Sequence, residues 1–201
     1  MDQTHPYNGS LTAEQFLFYE IRIAAKHYVS GLKIDEAIER IKKDNLFQYP
    51  TERQVSRLAR ACYKRLDALG NEQLVHELAS APNDIAKQIN LYAVMRYNRL
   101  VWEFMIQVIG EKYRNQDMNF SRKDMNAFFS RLQAQDDSVA AWSDATITKI
   151  KSVLVRMLIE TGYLDGLKDT TLNPVFLCEE LERGIEANND YDALSAFNYF
   201  R

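Results

Sequence analysis

The sequence is poor in what most catalytic sites require. It holds three histidines, His5, His27 and His76, scattered along 201 residues, and two cysteines, Cys62 and Cys178. Two cysteines give no disulfide framework. Cys178 has no histidine or second cysteine near it in the chain, so a zinc site is not expected. Cys62 falls among apolar residues at helical spacing and reads as a small buried hydrophobe. No glycine-rich phosphate loop and no nucleophile elbow occurs. No apolar run spans a membrane: the most hydrophobic one, Leu100–Ile109, is broken by Glu103 and Gln107 and is far short of roughly 20 residues. The start, Met1-Asp2-Gln3-Thr4-His5-Pro6, has neither the basic beginning nor the apolar stretch of a signal peptide. These absences lead to the expectation of a cytoplasmic, non-enzymatic protein without cofactor, metal or membrane contact.

What is present is material for a core. Hydrophobic residues make up 46% of the chain, including eleven tyrosines and ten phenylalanines. A chain of this size buries roughly 70% of its extended surface. Tyr92, Tyr97, Trp102 and Phe104 are read as interhelix packing. Helix signals recur and strand signals are few, so the expected class is mostly α. Leu11-Thr12-Ala13-Glu14-Gln15-Phe16 reads as a capping box with a hydrophobic staple, opening a helix that stops at Gly31. A short helix over 34–45 follows. Thr51 and Gln54 open a third helix, which Gly70 closes. Asn71 begins a fourth that ends by Pro82. A long helical stretch with a break runs from Asn83 to about Arg114, and Phe120-Ser121 starts another. Ser143 caps a helix that Gly162 ends. Tyr163–Lys168 and Thr171–Leu177 then read as two short strands of a hairpin. A polar helix from Cys178 and a short tail helix complete the chain. The expected division is an N-terminal region over 1–82 and a C-terminal region over 83–201.

The strongest functional signal is charge. Arg53, Arg57, Arg60 and Lys64 are spaced by four, three and four residues, which sets them on one face of a helix. Val55, Leu58, Ala59, Cys62, Leu66 and Leu69 form the opposite, apolar face. With Arg65, the segment 51–70 holds five basic residues against Glu52 and Asp67, both read as off the stripe. The whole chain has a net charge of −3, so its cations are concentrated rather than abundant. Helices 34–45 and 51–69, joined by Leu46–Pro50, have the outline of a helix-turn-helix. Four phosphate contacts would give a salt slope of about −3.6. The bland alternative is an ordinary solvated helix face.

A second, weaker set is Lys149, Lys151, Arg156 and Lys168, on the helix after Ser143 and near the hairpin tip. Helix followed by hairpin resembles the recognition helix and wing of a winged helix; a packing helix with a capping hairpin explains it equally. Segment 178–201 carries six acids and two arginines and suits solvent or a protein partner. Glu179, Glu182 and Glu186 lack any companion that would mark them as metal ligands.

Trp142-Ser143-Asp144-Ala145-Thr146 with Lys149, then Leu158-Ile159-Glu160-Thr161-Gly162-Tyr163-Leu164, resembles the C-terminal pattern of the BrxA family of BREX phage-resistance systems. The arginine-rich Thr51–Leu69, then Tyr97-Asn98-Arg99-Leu100 with Phe104, Lys112-Tyr113-Arg114 and Asn173-Pro174-Val175, is similar to further parts of that family, covering residues from about 12 to 190. The resemblance implies a role in antiviral defence beside other BREX proteins, among them an ATPase, a methyltransferase and a phosphatase-like protein. A suggested likeness of the family to the antitermination protein NusB adds RNA as an alternative ligand. The resemblance carries no catalytic residues over. The expected activity is therefore binding of double-stranded DNA, with a helical scaffold bridging BREX proteins as the runner-up.

Overall fold

A computed structural model describes residues 6–200. Among them the chain forms eleven α-helices: α1 Phe18–Val29, α2 Ile34–Lys43, α3 Glu52–Leu69, α4 Glu72–Ser80, α5 Asn83–Tyr97, α6 Arg99–Phe104, α7 Glu111–Arg114, α8 Arg122–Gln135, α9 Asp137–Ala140, α10 Asp144–Glu160 and α11 Glu179–Ala187. Two 3-10 segments, Ser10–Thr12 and Tyr191–Phe197, and a π-helical turn, Met105–Gly110, add to these. None of these helices is long and apolar enough to cross a membrane.

The chain divides into two compact units, neither of them continuous in sequence. The first unit contains Phe16–Tyr97 and Cys178–Asn189; the second contains the residues up to Gln15, Asn98–Leu177 and those from Asp190 onward. The expected boundary at 82/83 lies inside the first unit, between α4 and α5, which pack on each other.

In the first unit, local signals and packing agree. Thr51 Oγ1 accepts from the Gln54 amide at 3.3 Å and starts α3. Gly70 ends it with φ +60°, a conformation open to glycine without a Cβ penalty. Asn71 Oδ1 accepts from the Leu74 amide and caps α4. Helix α5 is buried from Ile89 through Met95 without interruption, as expected of a helix surrounded by others. It packs against α3, α4 and α11, while α1 lies on α3 and α4.

The capping box expected at Thr12 does not form. Thr12 Oγ1 donates to the Gly9 carbonyl within the 3-10 turn, and α1 starts at Phe18 after Leu17 in a left-handed conformation. The reason is tertiary: Phe16 is buried in the first unit, whereas Thr12 belongs to the second. Chain passage between units overrides the local cap.

In the second unit, the break in the long helical stretch falls at Asn98. Its Oδ1 accepts from the amides of Leu100 at 3.1 Å and Val101 at 3.4 Å and so begins α6. Phe104 packs edge-on against Phe128 and Phe120, with ring centroids 5.5 and 6.3 Å away. Gly110, the last residue of the π-turn, admits the tail: a Cβ there would stand 2.6 Å from Ser195 Oγ. Ser121 and Asp124 form a capping box on α8, and Ser143 Oγ caps α10.

The expected hairpin is absent, and with it the wing. Among the described residues no strand forms; one isolated antiparallel bridge joins Asn119 and Thr171. Tyr163, Leu164, Leu172 and Val175 are each buried, and scattered main-chain bonds, such as the Asn173 amide donating to the Tyr163 carbonyl at 2.9 Å, take the place of a regular ladder. Asn173 and Pro174 interrupt the second expected strand, and proline has no amide to pair.

Candidate nucleic-acid interface

The basic stripe begins as a consequence of packing. Val55, Leu58, Ala59, Cys62, Leu66 and Leu69 are buried. Val55, Leu58 and Ala59 join Ile38, Ile41 and Phe47 in one cluster that fixes α2 against α3. With that face committed, Arg53, Arg57, Arg60 and Lys64 all project to solvent. Among the described residues, Arg53, Arg57 and Lys64 have no carboxylate partner. Arg60 Nη2 lies 2.8 Å from Asp35 Oδ1 in the first turn of α2, with 54% and 78% of the two side chains exposed. Pairs that wet contribute about 0–1 kcal/mol, so a phosphate can displace Asp35.

The acids flanking the ridge sit at its ends. Glu52 is 3.7 Å from Lys42 of α2. Asp67, expected to lie off the stripe, follows Lys64 by three residues and is exposed at the C-terminal end of the same face. Its Oδ1 accepts from the Tyr28 hydroxyl at 2.9 Å. The ridge therefore runs from Arg53 to Lys64 and is closed by a carboxylate.

Arg65, expected among the basic contacts, is instead buried, with 1% of its surface exposed. Its Nη1 donates to the Phe16 carbonyl at 3.1 Å, and Asn90 Nδ2 donates to the same oxygen at 2.9 Å. Arg65 anchors the chain where it enters the first unit and cannot meet a ligand. The missed signal was spacing: Leu58, Cys62, Arg65 and Leu69 repeat the interval of the ridge on the buried side.

The second expected set does not form one surface. Lys149 and Arg156 are exposed and seven residues apart on α10, hence near one another on its face. Lys151 points elsewhere: its Nζ donates to Asn126 Oδ1 at 2.8 Å and stands 5.1 Å from the Phe129 ring centroid. Lys151 and Lys168 instead line a cleft beside α8. The wing that would have carried Lys168 is the irregular segment described above.

Helices α2 and α3 are linked by residues 44–51, with Asn45 and Gln48 at positive φ. That link is longer than the three or four residues usual in a helix-turn-helix. Nothing in the ridge resembles catalytic machinery. Among the described residues no three His, Cys, Asp or Glu side chains are grouped to hold a metal. Burial, helped by the nearby carboxylates of Glu180 and Asp84, pushes the Cys178 thiol up to about 11, the opposite of a reactive thiolate.

Comparison with known proteins follows the same lines. The sequence matches the BrxA family over residues 5–189. It is 33% identical to the BREX protein BrxA of Bacillus cereus (strain H3081.97) over 162 residues, 81% of this chain and 80% of that one. It is 23% identical to the BREX protein BrxA of Paramagnetospirillum magneticum (strain ATCC 700264 / AMB-1), covering 92% of both. A crystal structure of a protein from Magnetospirillum magneticum, described as uncharacterized, matches with a TM-score of 0.81 and 21% identity over 95% of this chain and 97% of that one. The latter likeness concerns the fold.

Proposed function

The chain belongs to the BrxA family of BREX systems, and from that premise we propose that it is a non-enzymatic component of BREX phage defence that binds duplex DNA mainly through phosphate contacts. The observation that carries the reading is the ridge on α3. Four cations stand on one solvent-facing side of a helix whose other side is fixed in the core, and among the described residues only Arg60 of the four is paired with a carboxylate. Helix α2, the eight-residue link and α3 would act as a helix-turn-helix-like element with an extended turn. Lys149 and Arg156 are a secondary set. Other BREX proteins are its partners within the same system.

Phosphate contacts position a protein without reading sequence. An arginine of the ridge can add bidentate recognition of guanine in the major groove. The reading predicts salt-sensitive binding to random duplex, with a slope near −3.6 for four contacts at about −0.9 each.

The test is binding of a random 20-base-pair duplex at 50 and 200 mM salt, for the wild type and Arg57→Glu/Arg60→Glu. Salt-insensitive binding, or an unchanged affinity in the variant, overturns the reading. Stronger competition by single-stranded or structured RNA than by duplex would move the ligand to RNA. Capture of BREX proteins that survives nuclease and is lost in the variant would instead favour a scaffold whose ridge meets an acidic partner.

A further inference from the structure

The second unit carries a concave surface that the ridge does not use. A cleft of about 890 Å³ opens between α8, α10 and residues 164–170. Its size lies in the upper part of the range of ligand-holding clefts, about 300–1,000 Å³. One wall is a single face of α10, formed by Thr148, Lys151, Ser152 and Val155. The other is Arg122, Met125 and Asn126 of α8. Met125 and Leu164 are buried and form an apolar floor. Leu167, on the rim, is 70% exposed.

Charge at this cleft is predominantly positive. Arg122, Lys151 and Lys168 line it, against the single carboxylate of Asp169. Among the described residues none of the three cations has an ion-pair partner. Lys151 is held in place by its bond to Asn126 and by the Phe129 ring, so part of its ordering cost is already met.

We infer that this cleft is a docking site for an acidic amphipathic segment of a partner protein. The segment would lay apolar side chains on Met125, Val155, Leu164 and Leu167, and direct carboxylates to Arg122, Lys151 and Lys168. In helix-in-groove recognition the bound helix carries its apolar anchors three or four residues apart, which is the pattern required of this occupant. The apolar floor separates this occupant from a phosphodiester backbone, which has no apolar surface to offer it. Cleft and ridge belong to different units, so this inference stands independently of DNA binding by α3.

The probe is a fluorescein-labelled 15-residue helical peptide with leucines three or four residues apart and glutamates at most other positions. Two controls are a scramble of identical composition and a version with lysine for glutamate. Fluorescence anisotropy with the full chain should show micromolar binding of the acidic probe, at least tenfold weaker binding of the scramble and none of the lysine version. Lys151→Glu/Lys168→Glu should weaken the acidic probe at least tenfold. Leu167→Asp, at an exposed position whose folding is checked by circular dichroism, should do the same. Arg57→Glu/Arg60→Glu should leave it unchanged. Equal binding of probe and scramble, no binding of the probe, or indifference to the Lys151 and Lys168 changes overturns the inference. Loss of duplex DNA affinity in the cleft variants, without loss of peptide, would assign the cleft to nucleic acid and overturn it equally.

Discussion

The Arg65 guanidinium holds the main-chain carbonyl of Phe16, forty-nine residues earlier, at 3.1 Å in a wholly buried setting. Asn90 bonds the same oxygen from α5. Three segments of the first unit therefore meet on one carbonyl group. Hydrogen bonds to charged groups contribute about 1.5–3 kcal/mol, and a buried polar group stripped of its partner costs more than the bond itself. Arg65→Ala should lose about 2–4 kcal/mol of stability, read as a lower urea midpoint. The folded fraction should bind duplex DNA as the wild type does, because Arg65 lies off the ridge. Weakened DNA binding at undiminished stability would return Arg65 to the interface.

Asp35 is the only carboxylate paired with the ridge among the described residues. Asp35→Asn should leave DNA affinity equal or tighter and change stability by less than about 1 kcal/mol. Removal of a competing anion adds up to one full counterion release, steepening the salt slope by as much as about 0.9. Titrations at four salt concentrations read this directly; a shallower slope contradicts the displacement of Asp35 by phosphate.

Gly110 meets the tail so closely that a Cβ would stand 2.6 Å from Ser195 Oγ and 3.2 Å from the Ser195 carbonyl carbon. Gly110→Ala should cost about 1–3 kcal/mol as an overpacked core. Ser195→Gly on top of it removes Oγ and Cβ and should restore part of that loss. The two changes should be non-additive by at least about 0.5 kcal/mol in thermal or urea denaturation; strict additivity would mean that the alanine is absorbed elsewhere.

Lys112 lies 3.0 Å from both Asp117 and Asp124. Burial pushes the Asp124 carboxyl up, but the Lys112 ammonium and the Ser121 amide outweigh it and hold it below the ordinary range. Burial likewise pushes Lys112 down, and its two carboxylates outweigh that and raise it. A depressed carboxyl stabilises the fold above its unfolded value, about 3.9, and that contribution fades as pH falls through the folded value. A raised ammonium stabilises below its unfolded value, about 10.4, and fades as pH rises through the folded one. Denaturation midpoints should thus be level from about pH 5 to 10 for this cluster, with both limbs reduced in Lys112→Met.

Much of the helical order was legible because caps and apolar periodicity agree with packing. Thr51 and Ser143 serve as N-caps and Gly70 ends α3, as expected, and the helix starts expected at Asn71 and Ser121 are N-caps too. The expectation failed where tertiary context decided. Thr12 and Gln15 carry a sound local capping signal, yet the burial of Phe16 in the other unit moves the start of α1 to Phe18. Residues 163–177 alternate like strands, but Tyr163, Leu164, Leu172 and Val175 are buried while Leu167 and Phe176 stay exposed. The ridge was readable from spacing alone; Arg65 was not, because its charge concealed an apolar register. The cleft was invisible in the sequence, since Arg122, Lys151 and Lys168 come together only when α8, α10 and the following segment are assembled.

The interleaved partition of the chain has a consequence for biosynthesis. Helix α11 belongs with α4 and α5, although eighty residues of the other unit, Asn98–Leu177, intervene. The ridge-bearing half cannot be completed on the ribosome until residue 189 has emerged. A nascent polypeptide therefore leaves the surface that α11 covers unsealed for nearly half of its synthesis, when exposed apolar side chains favour misassembly over closure.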